Sequence, residues 1–371
     1  MTRYDVIVLG GGIIGCAIAE ELARARQSVC LLERGTVGCQ ASTAAAGILS
    51  AQMDLERPGP FFELCQASRR LYPSWVARLE RRSRLSLGYH VDGILYLAMT
   101  SGDITRMEDR RRWQTQSGLP VERWSSQNIR RREPNVSHRV KAGFFFPTEA
   151  QVDNINLMKA LVIACRRAGV TLLERTVVRR VLTRRRRVLG VQTDHARLQA
   201  PVVVNCLGSW AQSVGPPLLQ VPVTPAKGQM LAFAAPRRVF RHVVMSEHAY
   251  GVQRRDGRLI VGSTVEFVGF DLRVTMEGMH TILSGFQRMV QREALHLCTF
   301  QEAWAGLRPC SADQMPVLGA TPIEGLFISA GHFRHGILLA PVTAKLMAEL
   351  IVKGRASCDL TSFSVNRFSA S

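Results

Sequence analysis

Residues 3–9 (RYDVIVL) pass from polar positions into an unbroken apolar run that stops at the glycines of 10–12, the pattern of a strand buried on both faces of a parallel sheet. Over 13–26 apolar side chains recur at Ile14, Ile18, Leu22 and Ala25, a helical spacing, and 28–32 is a second apolar run. Together they predict a β-α-β unit. Residues 37–52 are rich in Gly, Ala, Ser and Thr and read as a loop whose backbone must approach something closely. Helical periodicity returns over 61–82, 104–117 and 154–168, with strand-like runs at 93–98 and 143–146. Beyond Val170 short strands are expected at 171–173, 188–193, 202–206, 229–233, 250–253 and 259–262, with Asp256-Gly257 marking a hairpin. The pattern closes with a strand at 326–329, a glycine-flanked turn over 330–336, a helix over 337–352 and a peripheral tail after Gly354. With no internal repeat and no low-complexity linker, a second domain is expected to be inserted into the first rather than tethered behind it.

At 371 residues the chain exceeds one ordinary domain and can bury roughly 75% of its unfolded surface. Its 46% hydrophobic and 21% charged residues describe a soluble globular protein. Nine cysteines (Cys16, Cys30, Cys39, Cys65, Cys165, Cys206, Cys298, Cys310, Cys358) are scattered, with no C-x-x-C pair and no zinc spacing, which argues for reduced thiols, no metal and a cytoplasmic location. The N-terminus shows no basic n-region, and the apolar run 6–22 is broken by glycines and closed by Glu20 and Glu21. Neither a signal peptide nor a membrane span is expected there; association with a membrane surface and a homo-oligomer stay open. The formal charge is +19, and 43 of the 48 basic residues are arginine. Such a charge can steer anionic partners, but the runs 110–112, 130–132 and 184–187 carry no interleaved aromatic residues for stacking bases. A solvated arginine-rich surface, not a nucleic-acid site, is the expectation.

Gly10-x-Gly12-x-x-Gly15 falls between the first strand and the first helix, and Glu33 ends the second strand 18 residues after Gly15. A lone glycine motif means little, since glycines often only make turns. In this setting Gly10 serves the tight turn, Gly12 lets the backbone reach a pyrophosphate and Gly15 packs helix on strand. The pyrophosphate would lie at the positive end of the helix, and Glu33 would accept hydrogen bonds from a ribose. Two further glycine-rich segments, 41–47 (ASTAAAG) and 331–336 (GHFRHG), are what an elongated FAD requires and a nicotinamide dinucleotide does not.

With GGGIIG (10–15), LLER (31–34), ASTAAAGIL (41–49), KGQ (227–229), AWAGLRP (303–309) and AGHFRHGILLAP (330–341), the chain resembles the D-amino-acid oxidase superfamily of flavoproteins over nearly its whole length, and within it the glycine oxidase family. The resemblance implies an α/β fold: a Rossmann-like FAD-binding domain with a parallel sheet (1–85, 147–217 and 305–358), interleaved with an α+β substrate domain of mainly antiparallel sheet (86–146 and 218–304), and a peripheral tail at 359–371. It implies non-covalent FAD, since the cysteine that links flavin in the sarcosine branch falls nearer Gly306 than Cys310. Ile13 and Ile14 would contact the pyrophosphate, Glu33 and Arg34 the adenosine end, and Val178 the adenine. Ala41, Ser42, Ala46, Gly47 and Ile48 would line the flavin. Gly208, Gly331, His332, Phe333, Arg334, His335, Gly336, Ile337 and Leu338 would complete the cofactor site, the last group covering the pyrimidine edge, where the helix N-terminus stabilises reduced flavin.

For the substrate the resemblance names Arg308, of the GLRP motif, as partner of an amino-acid carboxylate, a pairing that suits a bidentate guanidinium. Arg334 and Tyr250 match positions beside it, although a tyrosine on a half-buried strand is by default a packing residue. No general base is assigned to His332 or His335, because positioning alone can let the amine lone pair expel hydride onto flavin N5. Val265 stands where the family has a methionine, and Gln253 where it has a proline. The implied activity is oxidative deamination of glycine, sarcosine or a small D-amino acid with O2 reduced to H2O2, and a glycine oxidase would point to thiamine thiazole biosynthesis. Two alternatives remain: a D-amino-acid dehydrogenase that reduces a quinone, and an RNA-associated flavoprotein.

Overall fold

The apolar run after Tyr4 becomes the strand Val6–Leu9, buried at all four residues. In the computed structural model, which describes residues 3–53, 55–215 and 219–368, this strand lies inside a six-stranded sheet. The order is Val317–Ala320, Leu326–Ala330, Val202–Asn205, Val6–Leu9, Val29–Leu32, Thr171–Leu173, and every neighbouring pair is parallel except the first. Successive strand residues face opposite sides, and both sides here are covered. Val6, Val8, Val29 and Leu31 pack under the helices Ile13–Arg24, Pro60–Ser83, Asn154–Arg167 and Gly336–Lys353. Ile7, Leu9, Cys30 and Leu32 pack against Val181, Val188, Val191 and Leu198 of a three-stranded antiparallel sheet, Arg197–Gln199, Arg187–Thr193, Val178–Arg184. Coverage on two faces explains why these strands carry no polar alternation.

A second sheet of eight strands runs Thr299–Ser311, Val223–Ala234, Arg258–Gly262, Tyr250–Gln253, Val243–Met245, Ile94–Ala98, Ala142–Phe146, Glu122–Ser125. It is antiparallel apart from the pairing of Val243–Met245 with Ile94–Ala98. The mixed α/β class read from the sequence is therefore the class observed.

Helix Gly336–Lys353 is apolar enough to span a bilayer by composition, with a mean hydropathy of 1.5 over its most apolar window, yet 67% of that window is buried within the fold. It contains Pro341, which has no N–H to offer the carbonyl of Ile337 one turn back. The hydroxyl of Tyr72 donates to that carbonyl at 3.0 Å, and Ser68 Oγ donates to the next, Leu338, at 2.6 Å. Helix Pro60–Ser83 thus replaces the hydrogen bond that proline removes. Glu20, fully buried, is held by Arg78 at 2.5 Å and Arg82 at 2.9 Å, so the acidic pair that closes the first apolar run sits at the junction between helices.

Several expectations need correction. Residues 37–52 are not all loop: Ala41–Ala44 is a short helix and Ile48–Leu49 a short strand. Strand 229–233 is the centre of the 12-residue Val223–Ala234. The strands Val178–Arg184, Arg197–Gln199, Val243–Met245, Thr299–Ser311 and Val317–Ala320 and the helix Met276–Met289 were not anticipated. The tail at 359–371 is anchored rather than peripheral as far as it is described: Phe363 and Val365 are buried and Arg367 pairs with Asp313 at 2.7 Å, while 369–371 and the proposed boundary at 217–218 lie outside the described residues.

Candidate active site

One elongated cavity of about 660 Å³ runs between the two large sheets. At its start Gly10 adopts φ +100 and a Cβ on Gly15 would overlap the Gly10 carbonyl, so the helix can lie against the strand end only with glycine at both positions. Glu33, at the end of the second strand, accepts from Gly11 N at 2.8 Å and from Gly35 N at 2.9 Å. It thereby fixes the glycine loop and still offers its remaining lone pairs to the cavity. Helix Ile13–Arg24 has Gly12 as its N-cap and no side-chain cap from that residue; Ser42 Oγ instead accepts from Ile13 N at 2.9 Å. The segment 41–48 is thus pinned to the first helix.

Helix Gly336–Lys353 also begins at the cavity without a side-chain cap. Two helix N-termini, neither capped by the side chain of its own N-cap residue, turn their positive poles to one space. A Cβ on Gly336 would make only ordinary contact, 3.6 Å from His332 Cβ, so nothing in the chain itself demands glycine there and the room is left for a ligand. Just before it Phe333 holds φ +45, a left-handed conformation that a bulky residue adopts at a cost of about 1–3 kcal/mol. These features fit a dinucleotide with an extended ring system: Gly10, Gly12, Ile13, Ile14 and Glu33 at the nucleotide end, Ala41, Ser42, Ala46, Gly47 and Ile48 along one wall, and His332 through Leu338 at the ring.

Arg34 and Val178 line the cavity as expected, as does Gly208. The Arg34 guanidinium lies 3.7 Å above the Trp210 ring, and Trp210 stacks in turn on Phe270 at 5.0 Å. Trp210 was invisible to motif reasoning, since it follows no glycine pattern and acts through stacking. Two residues of the expected cofactor set are not on the wall: Gly15 and Gly331. Gly15 serves packing alone, and a Cβ on Gly331 (φ +72) would press to 3.2 Å on Ser311 Cβ, so both are glycine because of the chain.

At the far end Arg308, Arg334 and Tyr250 come together on the wall with Met230, Met245, Ser263 and Val265. The Arg308 guanidinium donates to the Thr264 carbonyl at 3.1 Å and to Ser263 Oγ at 2.7 Å, both uncharged. Burial, and then the like charge of Arg334, lower its pKa, with Tyr250 opposing. Burial raises the pKa of the Tyr250 hydroxyl, which keeps it a neutral donor; it donates to Met230 Sδ at 3.2 Å. The KGQ tripeptide now has a physical meaning. Lys227 pairs with Glu266 at 2.9 Å, and the Gln229 amide bonds Glu266 at 2.8 Å and Thr275 at 3.1 Å. Both side chains grip the loop that supplies Ser263 and Thr264. Between them, a Cβ on Gly228 would overlap the Arg308 guanidinium.

His332 is 2% exposed, with Nε2 3.3 Å from Thr343 Oγ1. Burial first, then the neighbouring His335, lowers its pKa to about 3. It is a neutral imidazole at pH 7. Gln253 lies off the cavity and binds Val239 N, so that departure from the family pattern does not touch the site, whereas Val265 does. Cys310 is likewise off the wall. Among the described residues no group of three or more His, Cys, Asp or Glu is placed to hold a metal ion.

A dinucleotide cradle that ends at two arginines with no carboxylate paired to them among the described residues fits a dinucleotide-dependent oxidoreductase. The chain belongs to the DAO family of FAD-dependent oxidoreductases, whose family model matches residues 5–350. It is 36% identical over 99% of its length to the bifunctional protein ThiO/ThiG of Trichormus variabilis, of which it covers 55%, so the chain spans about half of that relative. It is 33% identical to the glycine oxidase of Geobacillus kaustophilus, covering 98% of this chain and 97% of that one. The crystal structure of glycine oxidase from Geobacillus kaustophilus superposes with a TM-score of 0.95 over 99% of both chains at 32% identity.

Proposed function

We propose that the enzyme oxidises a small amino acid, glycine first, at the carbon bearing nitrogen, with O2 as electron acceptor. The observation that carries this reading is Arg308: a cation set into the cavity wall whose partners in the chain, the Thr264 carbonyl and the Ser263 and Tyr250 hydroxyls, are all uncharged, beside a second cation, Arg334. Both await an anion. A substrate carboxylate supplies it, with charge-assisted hydrogen bonds of about 1.5–3 kcal/mol each, and Tyr250 adds a neutral donor. Anchored there, the substrate's nitrogen-bearing carbon is turned toward the ring end of the cradle, and orientation does most of the catalytic work.

FAD held there would supply the two-electron chemistry: a hydride leaves the substrate carbon and a proton leaves its nitrogen, and the two electrons and two protons end on O2 as H2O2. Water then converts the imine to the oxo acid and ammonia. The ThiO/ThiG relatives support a place in thiamine thiazole formation, where the imine would be consumed directly. Anaerobic addition of glycine, sarcosine and D-alanine to the yellow protein tests the substrate: glycine should bleach it most efficiently, and no bleaching by any of the three overturns the proposal. Readmitting air should restore the colour with stoichiometric peroxide; recovery only with a quinone would replace O2 as acceptor.

A further inference from the structure

Arg254 follows the strand Tyr250–Gln253, is 8% exposed and lies behind the cavity wall, not on it. Its guanidinium donates to the Ala46 carbonyl at 2.6 Å and to Gln151 Oε1 at 2.9 Å, with Asn154 Oδ1 at 3.5 Å. All three acceptors are uncharged. The nearby carboxylate of Asp153 is taken at 2.5 Å by Arg258. Burial lowers the pKa of Arg254 to about 10, with Asp153 opposing, so the group remains a cation at neutral pH. A charge buried among neutral oxygens is expensive, and its position gives it a use.

The Ala46–Gly47 peptide is trans, so its carbonyl and its N–H point in opposite directions. Arg254 draws the carbonyl out of the cavity, which turns the Gly47 N–H into it. The next carbonyl, that of Gly47, accepts from Val152 N at 2.9 Å, and the Ile48 N–H is turned inward in the same way. Gly47 can do this because it sits at φ +68, where consecutive N–H groups can share one side and form a nest for negative charge. A side chain at Gly47 would overlap the Val152 carbonyl and crowd Arg254 Nη2 at 2.8 Å.

We propose that Arg254 is a positioning residue for the flavin: it holds the Gly47 and Ile48 N–H groups toward the ring and stands behind them as a fixed positive charge, favouring the reduced, electron-rich state. This rests on FAD occupying the cavity. Arg254→Met and Arg254→Lys apoproteins can be titrated with FAD by flavin fluorescence, and the midpoint potential of each loaded protein measured, with circular dichroism of the apoproteins to follow folding. A folded R254M protein should bind FAD at least about tenfold more weakly and show a lower midpoint potential, with R254K, which keeps the charge but not both hydrogen bonds, in between. Wild-type affinity and potential in R254M overturn the assignment. If R254M does not fold, a folded R254K with wild-type potential overturns it equally, and two unfolded variants reduce Arg254 to a scaffold residue. A wild-type protein that takes up no FAD removes the footing of cofactor and positioning role together.

Discussion

Single residues divide into those a motif displays and those only packing explains. Gly10 and Gly12 were legible because their roles depend on local backbone, whereas Arg308, one of 43 arginines, was named only by the resemblance of its motif. Gly228 was legible only as part of a resemblance; its reason, the guanidinium that fills the space above it, lies 80 positions away in the chain. Replacing it with alanine should displace Arg308 and leave the cradle intact. We expect Gly228→Ala to raise the KM for substrate by about ten- to hundredfold, on the scale of one or two lost charged hydrogen bonds, with FAD content unchanged. Steady-state kinetics on the loaded protein measures it, and an unaltered KM would break the link between this glycine and the anchor.

Among the elements, those with a continuous apolar signal were readable and those whose role is to display polar groups were not. Strand Val178–Arg184 buries Val181 alone, and its arginines mask the pattern. Thr299–Ser311, 13 residues long, is the edge strand of its sheet: its first four residues are exposed and Gly306 to Pro309 line the cavity, so it lacks the alternation that marks a strand. The terminal helix shows the converse: its apolar run was plain, its dependence on a neighbour was not. Tyr72→Phe should leave the Ile337 carbonyl buried without its donor and cost about 1–3 kcal/mol, seen as an earlier urea midpoint. If the midpoint does not move, the tyrosine is not compensating for Pro341.

For the molecule as a whole, the buried neutral His332 sets a direction for pH. Its folded pKa of about 3 lies below the ordinary 6.5, so the unfolded chain takes up a proton first as pH falls. The contribution is complete above pH 6.5 and is lost progressively toward pH 3. Between pH 7 and 5 the wild type should lose about 2 kcal/mol more than a His332→Gln variant; parallel loss in both, by urea unfolding, would remove His332 as the cause. The loop between Gly262 and Met276 joins the two ends of the cavity. It holds Arg308 through Ser263 and Thr264 and reaches Trp210 through Phe270, while Phe267 is 67% exposed. A brief chymotrypsin digest should therefore nick the chain after Phe267 or Phe270 and yield a protein that stays yellow yet no longer turns over, because the cut slackens the grip on the amino acid and spares the pigment.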